Sequence, residues 1–240
     1  MIKLGIIGAM DVEVQTLKEQ MENLTVTERV GTEFYEGVLE NTPVVLVKCG
    51  IGKVNAAICT QILCDCFGVT HIVNTGIAGS LCAEQDIGDM VVSSDVWHHD
   101  FDCYHFGYPM CKIPGMPQSF AADEGLIALA KQAAEQTGSC VRIGRVASGD
   151  QFIADPVLKE RVIERTQALC TEMEGAAIAQ TAYRNGIPFV ILRCISDKAD
   201  NSVEMDYPSF EAMAAHRCAQ VASSLAAALQ NAKCEMQNAK

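Results

Sequence analysis

Short apolar runs and amphipathic stretches alternate along this chain. The runs Leu4–Gly8, Val44–Cys49, His71–Asn74, Asp89–Ser93, Val141–Ser148, Leu169–Met173 and Pro188–Cys194 predict strands. Several are continuously apolar rather than alternating, as in strands covered on both faces of a parallel or mixed sheet. Between them apolar positions recur at helical spacing. From Lys53 to Cys66 the residues Val54, Ala57, Ile58 and Ile62 share one face, and from Ser209 onward Phe210, Met213, Ala214, Cys218, Val221, Leu225 and Leu229 do the same. Gln15–Asn23, Asp123–Thr137 and Gly175–Asn185 complete the helical set. This alternation predicts an α/β fold: a single three-layer α/β/α domain around a central mixed β-sheet.

The stretch from Trp97 to Phe120 breaks the rhythm. It is rich in aromatic, His, Gly and Pro residues and has no period, and loops of that length in compact domains belong to function or to an interface. The chain of 240 residues is long enough for one large domain with a real core. That domain is expected over residues 1–231, with a frayed tail at 232–240.

Composition narrows the function classes. No apolar run reaches the roughly 18–20 residues of a membrane helix, and Met1–Gly8 has no cleavage pattern after it, so it suits a first strand better than a signal peptide. A net charge of −12 opposes a nucleic-acid or anionic-membrane partner. The 12 cysteines include no CxxC pair, which fits small buried thiols in a reducing cytoplasm and gives zinc no ligand spacing.

In open α/β sheets ligands gather at the carboxyl ends of strands, so the residues that follow each strand carry the candidate chemistry. Gly8-Ala9-Met10-Asp11-Val12-Glu13 puts acids at a helix start, where they complement its positive end or serve a site. Gly50-Ile51-Gly52-Lys53 and Gly76-Ile77-Ala78-Gly79 both follow strands. The first has the Gly-x-Gly of a dinucleotide turn, but the acid that should follow about 20 residues on is replaced by Asn74-Thr75-Gly76. Close packing and ligand approach explain these glycines equally well, and no cofactor is expected. Thr171-Glu172-Met173-Glu174 places two carboxylates at alternate strand positions, hence on one face. Arg193-Cys194-Ile195-Ser196-Asp197 closes the next strand with another acid, and if the two strands are neighbours the three acids converge. His98-His99-Asp100-Phe101-Asp102 resembles a metal set only in composition: adjacent strand residues point apart and no standard spacing is met, so no metal is expected.

Taken together, these segments resemble the methylthioadenosine/S-adenosylhomocysteine nucleosidases of the nucleoside phosphorylase superfamily. The likeness runs from Met1 to about Leu229 and is carried by Ile6–Met10 with Glu13, Cys49–Val54, Ser148-Gly149-Asp150-Gln151-Phe152-Ile153, Glu172-Met173-Glu174, and the run from Arg193 to Asp200. It implies a nucleoside phosphorylase-like fold and hydrolysis of 5′-methylthioadenosine and S-adenosylhomocysteine, with 5′-deoxyadenosine as a further substrate, in methionine salvage and the activated-methyl cycle. By that resemblance Asp197 is the general acid at purine N7 and Glu13 positions and deprotonates the water. Glu174 holds the ribose hydroxyls, with Glu172 and Met173 beside the sugar and Ser196 in the same shell. Phe152 stacks on the base, and the main chain around Phe152 and Ile153 reads the adenine edge. The Trp97–Phe120 loop crosses a homodimer interface, so that Phe106 and Pro114 act in the partner's pocket, while Met10, Ile51 and Tyr207 line the same apolar recess. The chain departs from the family pattern at Ile77, where relatives tend to carry a small hydroxyl residue.

The rival reactions stay close to this one. A purine nucleoside phosphorylase needs cations for phosphate, and the loops at Ala9–Glu13 and Ile77–Leu81 contain no Arg or Lys. A sister nucleosidase acting on aminodeoxyfutalosine or another purine nucleoside is the nearer alternative. A non-catalytic nucleoside sensor is opposed by the retained acids.

Overall fold

In the computed structural model, which describes residues 2–199 and 207–238, with side chains described for 2–199 and 209–232, ten strands form one sheet. They are β1 (Leu4–Gly8), β2 (Glu22–Arg29), β3 (Thr32–Leu39), β4 (Thr42–Lys48), β5 (His71–Ser80), β6 (Met90–His98), β7 (Phe120–Ala121), β8 (Val141–Ser148), β9 (Cys170–Glu172) and β10 (Phe189–Asp197). The helices are α1 (Asp11–Gln20), α2 (Lys53–Phe67), α3 (Glu124–Glu135), α4 (Pro156–Thr166), α5 (Gly175–Asn185) and α6 (Tyr207–Asn238).

The sheet is mixed. Strands β4, β1, β5 and β10 run parallel side by side, with the antiparallel β3 and β2 beyond β4. On the other flank the sheet closes on itself, because β5 pairs with β10 along most of its length and with β9 through Gly79 and Ser80. The ring is completed by β10–β6, β6–β8 and β8–β9. Helices α1, α3 and α6 pack on one face, and α2 and α5 on the other. Both faces are therefore covered, which is why β1 and β10 are buried at every position.

Local chemistry sets the element ends. Gly68 and Gly186 take the left-handed conformation that closes α2 and α5. Asp123 and Asp155 cap α3 and α4 through their side chains, and Pro156 sits in the first turn of α4, where its missing N–H costs nothing.

Several boundaries differ from the sequence expectation. Helix α1 starts at Asp11 rather than Gln15 and ends at Gln20, because Glu13 folds back onto the main chain before the helix and Met21 is extended. Strands β2 and β3 were not foreseen: β2 is exposed along most of its length and so has no apolar signature. Their turns need two consecutive left-handed residues, supplied by Val30-Gly31 and Glu40-Asn41. Helix α4 was also missed. β5 does not stop at Asn74 but continues through Gly76-Ile77-Ala78-Gly79, so that run is strand and not a turn. β6 continues to His98, which leaves a shorter loop than the one expected from Trp97. The expected frayed tail at 232–240 falls almost wholly on residues outside the described side chains.

Candidate active site

The carboxyl ends of β1, β5, β9 and β10 meet around a cavity of about 160 Å³. Its wall is made by Ala9, Met10, Glu13, Ile51, Ile77, Ala78, Gly79, Phe152, Thr171, Glu172, Met173, Glu174, Ser196 and Asp197. A smaller recess of about 30 Å³ shares six of these residues and adds Gln151 and Ile153. Most residues named from the sequence thus lie together. Phe106 and Pro114 do not: both are exposed and away from the cavity. Tyr207 opens α6, and its side chain lies outside the described residues.

Glu13 is held by the start of its own helix. One carboxylate oxygen accepts the N–H groups of Ala9 (2.6 Å) and Met10 (3.0 Å), and the other accepts that of Ile77 (3.1 Å) on β5. Burial raises its pKa, against the opposing pull of Arg193 and these three N–H donors. Its fit to β5 explains one glycine. A Cβ on Gly76 would collide with both the Glu13 carboxylate and the Arg193 guanidinium. Close packing, rather than approach of a ligand, is the reason for glycine there.

Arg193 is the residue the sequence reading passed over. It lies fully buried in β10 and donates to Asn74 and Glu172, with Glu174 3.8 Å away. Burial alone would push Glu172 up, yet the Arg193 charge, the Ser148 hydroxyl and the N–H groups of Gly175 and Glu174 hold it below the ordinary range. Glu174 is pushed up to about 7 by burial and by the neighbouring Glu172 charge. The signal for Arg193 was in the sequence: a lone arginine inside an apolar strand has to meet acids.

The three acids converge by a route other than the one expected. Glu174 does not continue β9, which ends at Glu172, but stands at the position just before α5, its carboxylate turned to the Gly52 N–H rather than to the helix. The two side chains are brought together because a Glu172 oxygen accepts the N–H of Glu174 (3.1 Å) and of Gly175 (2.8 Å). Nor are β9 and β10 neighbours, since β5 lies between them. Asp197 reaches the cavity through a bulge: Ala78 pairs with Ile195 and Gly79 with Asp197, leaving Ser196 as an extra residue. A bulge lets two consecutive residues face one side, and both Ser196 and Asp197 line the cavity. The Asp197 carboxylate accepts the Ser196 hydroxyl (2.9 Å) and the Ala199 N–H (2.7 Å).

The remaining wall is mostly apolar, from the buried Ala9 and Ala78 to side chains at the mouth that are half-exposed. Ile51 is 54% and Phe152 57% exposed. The cavity therefore offers acids on its floor and apolar surface at its mouth, and no Lys or Arg is among the residues that line it. Elsewhere the His98–Asp102 run does not form a metal centre: among the described residues no group of three or more His, Cys, Asp or Glu is arranged to hold an ion. Both histidines are buried, and burial lowers their pKa, that of His98 to about 4. The eleven described cysteines are free thiols, and burial pushes Cys59, Cys64 and Cys218 up to about 11.

This arrangement has known counterparts. The phosphorylase superfamily model matches residues 3–228. The 5′-methylthioadenosine/S-adenosylhomocysteine nucleosidase of Halalkalibacterium halodurans is 43% identical over 211 residues, covering 88% of this chain and 91% of that protein. The crystal structure of the nucleosidase of that name from Neisseria meningitidis, in complex with methylthio-immucillin-A, superposes with a TM-score of 0.92 at 36% identity, over 95% of this chain and 100% of that one. A futalosine hydrolase mutant of Helicobacter pylori superposes with a TM-score of 0.89 at 32% identity, over 94% and 98% of the two chains.

Proposed function

The chain belongs to the phosphorylase superfamily and, within it, to the 5′-methylthioadenosine/S-adenosylhomocysteine nucleosidases, and on that premise we propose how its acids divide the hydrolysis of these two nucleosides. Water adds across the C1′–N9 bond, releasing adenine and the 5-thio-substituted ribose. The observation that carries this reading is the convergence of Glu13, Glu174 and Asp197 on one cavity without a cation in its wall.

N-glycosidic cleavage passes through an oxocarbenium-like ribosyl cation. Asp197 gives its proton to purine N7 as the bond to N9 breaks, and the leaving base departs neutral. Glu13 takes a proton from the water that attacks C1′. Glu174 accepts the ribose hydroxyls from its place at the start of α5. The developing positive charge on the sugar faces carboxylates that are already positioned, which lowers the barrier without reorganisation. Phe152 stacks on the base, the Ile153 main chain meets the adenine edge, Met173 lies beside the sugar, and Met10 and Ile51 take the apolar 5′ group.

The active unit is a homodimer in the cytoplasm. Val54 and Ile58 on α2, Tyr183 on α5, and Tyr104 and Phe106 on the loop after β6 are all more than 40% exposed, an apolar area that pairing would cover. Phe106 and Pro114 then complete the partner's cavity. Loss of specific activity on dilution, in step with dissociation followed by sedimentation, is the expected result; a fully active monomer would remove the trans residues from the site.

The reaction is tested by adenine release from 5′-methylthioadenosine with and without phosphate. Release independent of phosphate, with free methylthioribose as the second product, is expected. Strict phosphate dependence would overturn the role of Glu13. Aminodeoxyfutalosine is the second substrate to assay, since the futalosine hydrolase mutant shares the fold at a TM-score of 0.89.

A further inference from the structure

Three residues outside the cavity tie together the segments that follow β4, β6 and β8. Lys53 opens α2 directly after the Gly50-Ile51-Gly52 turn. Its ammonium donates to both oxygens of Asp100 at 2.6 and 2.7 Å. Its own N–H donates to Asp150 at 2.8 Å, and the Asp150 N–H returns to Asp100 at 3.0 Å. The result is a closed triangle joining the turn after β4, the loop after β6 and the loop after β8. None of the three residues lines the cavity.

The segments they join carry the site. The turn bears Ile51, and the Gly52 N–H donates to Glu174 at 2.8 Å. The loop after β8 bears Phe152. Ile51 and Phe152 are each more than half exposed, so packing alone holds them weakly, and the triangle supplies the constraint. The Lys53–Asp100 pair is itself largely shielded, with side chains 19% and 18% exposed, and shielded charge pairs are screened less than surface ones. The lysine of a Gly-x-Gly-Lys run invites a phosphate-binding role; here its charge is already engaged by Asp100.

We propose that Lys53, Asp100 and Asp150 are positioning residues that set nucleoside affinity by clamping Phe152 on the base and Ile51 on the 5′ group and by fixing the Gly52 N–H on Glu174. This rests on the nucleosidase reading above. The test compares the full-length parent with Asp100→Asn, Lys53→Met, Lys53→Arg and Asp150→Ala, measuring kcat and KM for 5′-methylthioadenosine and the inhibition constant of adenine. Asp100→Asn and Lys53→Met are expected to raise KM and the adenine constant about 10-fold while kcat changes less than about 3-fold, the pattern of lost uniform binding. Lys53→Arg should recover most of the loss, and a variant combining Lys53→Met with Asp100→Asn should be no worse than either single one. Asp150 is exposed, so Asp150→Ala keeps the test open if the buried-pair variants do not fold; it should raise KM at least 3-fold. Folded variants with lowered melting temperature but parental KM and adenine constants would reduce the triangle to a structural tie and overturn the proposal. A parent that releases no adenine would instead sink the nucleosidase reading, so the two failures are distinct.

Discussion

Replacing Arg193 with methionine removes the only positive charge that meets both Glu172 and Glu174 in the described network. Their side chains are 3% and 7% exposed, and that of Arg193 1%. Taking one partner from a buried pair leaves an uncompensated charge and costs about 3–5 kcal/mol, a large part of the roughly 5–15 kcal/mol that holds a domain together. The size of that loss should depend on pH. In the parent, Glu172 titrates below its unfolded value, so its contribution is present above the unfolded pKa and is lost as pH falls through the folded one. Without the guanidinium, burial dominates and the folded pKa rises above the unfolded one. The variant then keeps Glu172 at no penalty only under acid conditions, by protonating it, and loses stability as pH rises.

The difference between parent and variant must therefore widen from about pH 5 to about pH 8. At the lower pH the variant protonates Glu172 and carries no buried charge there, so its loss is confined to the parent's own Glu172 ion pair, the packing defect and the unpaired Asn74 oxygen. Urea unfolding at fixed protein concentration reads this directly. With a slope of about 3 kcal/mol per molar, the midpoint should fall by more than about 1 M at the higher pH and by less at the lower. Equal shifts at the two pH values would refute the reasoning and make Arg193 a packing residue whose charge is immaterial.

Three further outcomes follow from the same geometry. Glu174, pushed up to about 7, has a folded pKa above its unfolded one, so its contribution is full at acid pH and fades as pH rises through 7, up to about 3 kcal/mol; because ribose hydroxyls donate to the ionised form, KM should fall over that same interval. A KM for 5′-methylthioadenosine that is flat from about pH 6 to pH 8, or a Glu174→Gln variant that keeps the slope, would contradict this. Asp197→Asn should cut the rate of adenine release by about 10²–10⁴ while adenine affinity changes little, and an unchanged rate would take Asp197 out of the mechanism. Gly76→Ala forces a methyl against Glu13 and Arg193, and should lower stability by about 3 kcal/mol as well as activity; a parental melting curve would show that β5 can move aside.

What the sequence revealed was what burial writes into it. Strands such as β1 and β10 are apolar throughout because helices cover both faces, and they were read correctly at their cores. The exposed β2 carries no such record, and β5 hid its last residues behind glycines that usually signal turns. In the site, the acids were visible as residue types after strands, but not the reasons for their meeting. The bulge at Ser196 cannot be read from composition, and Glu172 and Glu174 meet through main-chain N–H groups rather than through strand alternation. Arg193 was legible in principle, since a cation in an apolar strand demands partners, yet which acids it would satisfy depended on β5 lying between β9 and β10.

The charge arrangement also bears on why water and not phosphate is the acceptor. Four carboxyl groups, Glu13, Glu172, Glu174 and Asp197, face one cavity, Glu172 being held ionised by Arg193, which Asn74 and Glu172 keep behind them. A phosphate dianion entering beside Glu13 would meet like charge with no donor fork to receive it, and at a few ångströms in a shielded site that repulsion amounts to several kcal/mol. Nor does Lys53 offer relief, since Asp100 binds its ammonium with both oxygens. A neutral water meets none of this repulsion, and in the proposed mechanism its base is Glu13, whose carboxylate is oriented by three main-chain donors. In the proposed mechanism the acidic floor that disfavours the anion also favours the ribosyl cation, so one set of side chains would govern both the choice of nucleophile and the stabilisation of the transition state. Installing an arginine at Ile77 would separate the two effects: if phosphate then accelerates adenine release, exclusion was electrostatic, and if it does not, the shape of the cavity is what keeps phosphate out.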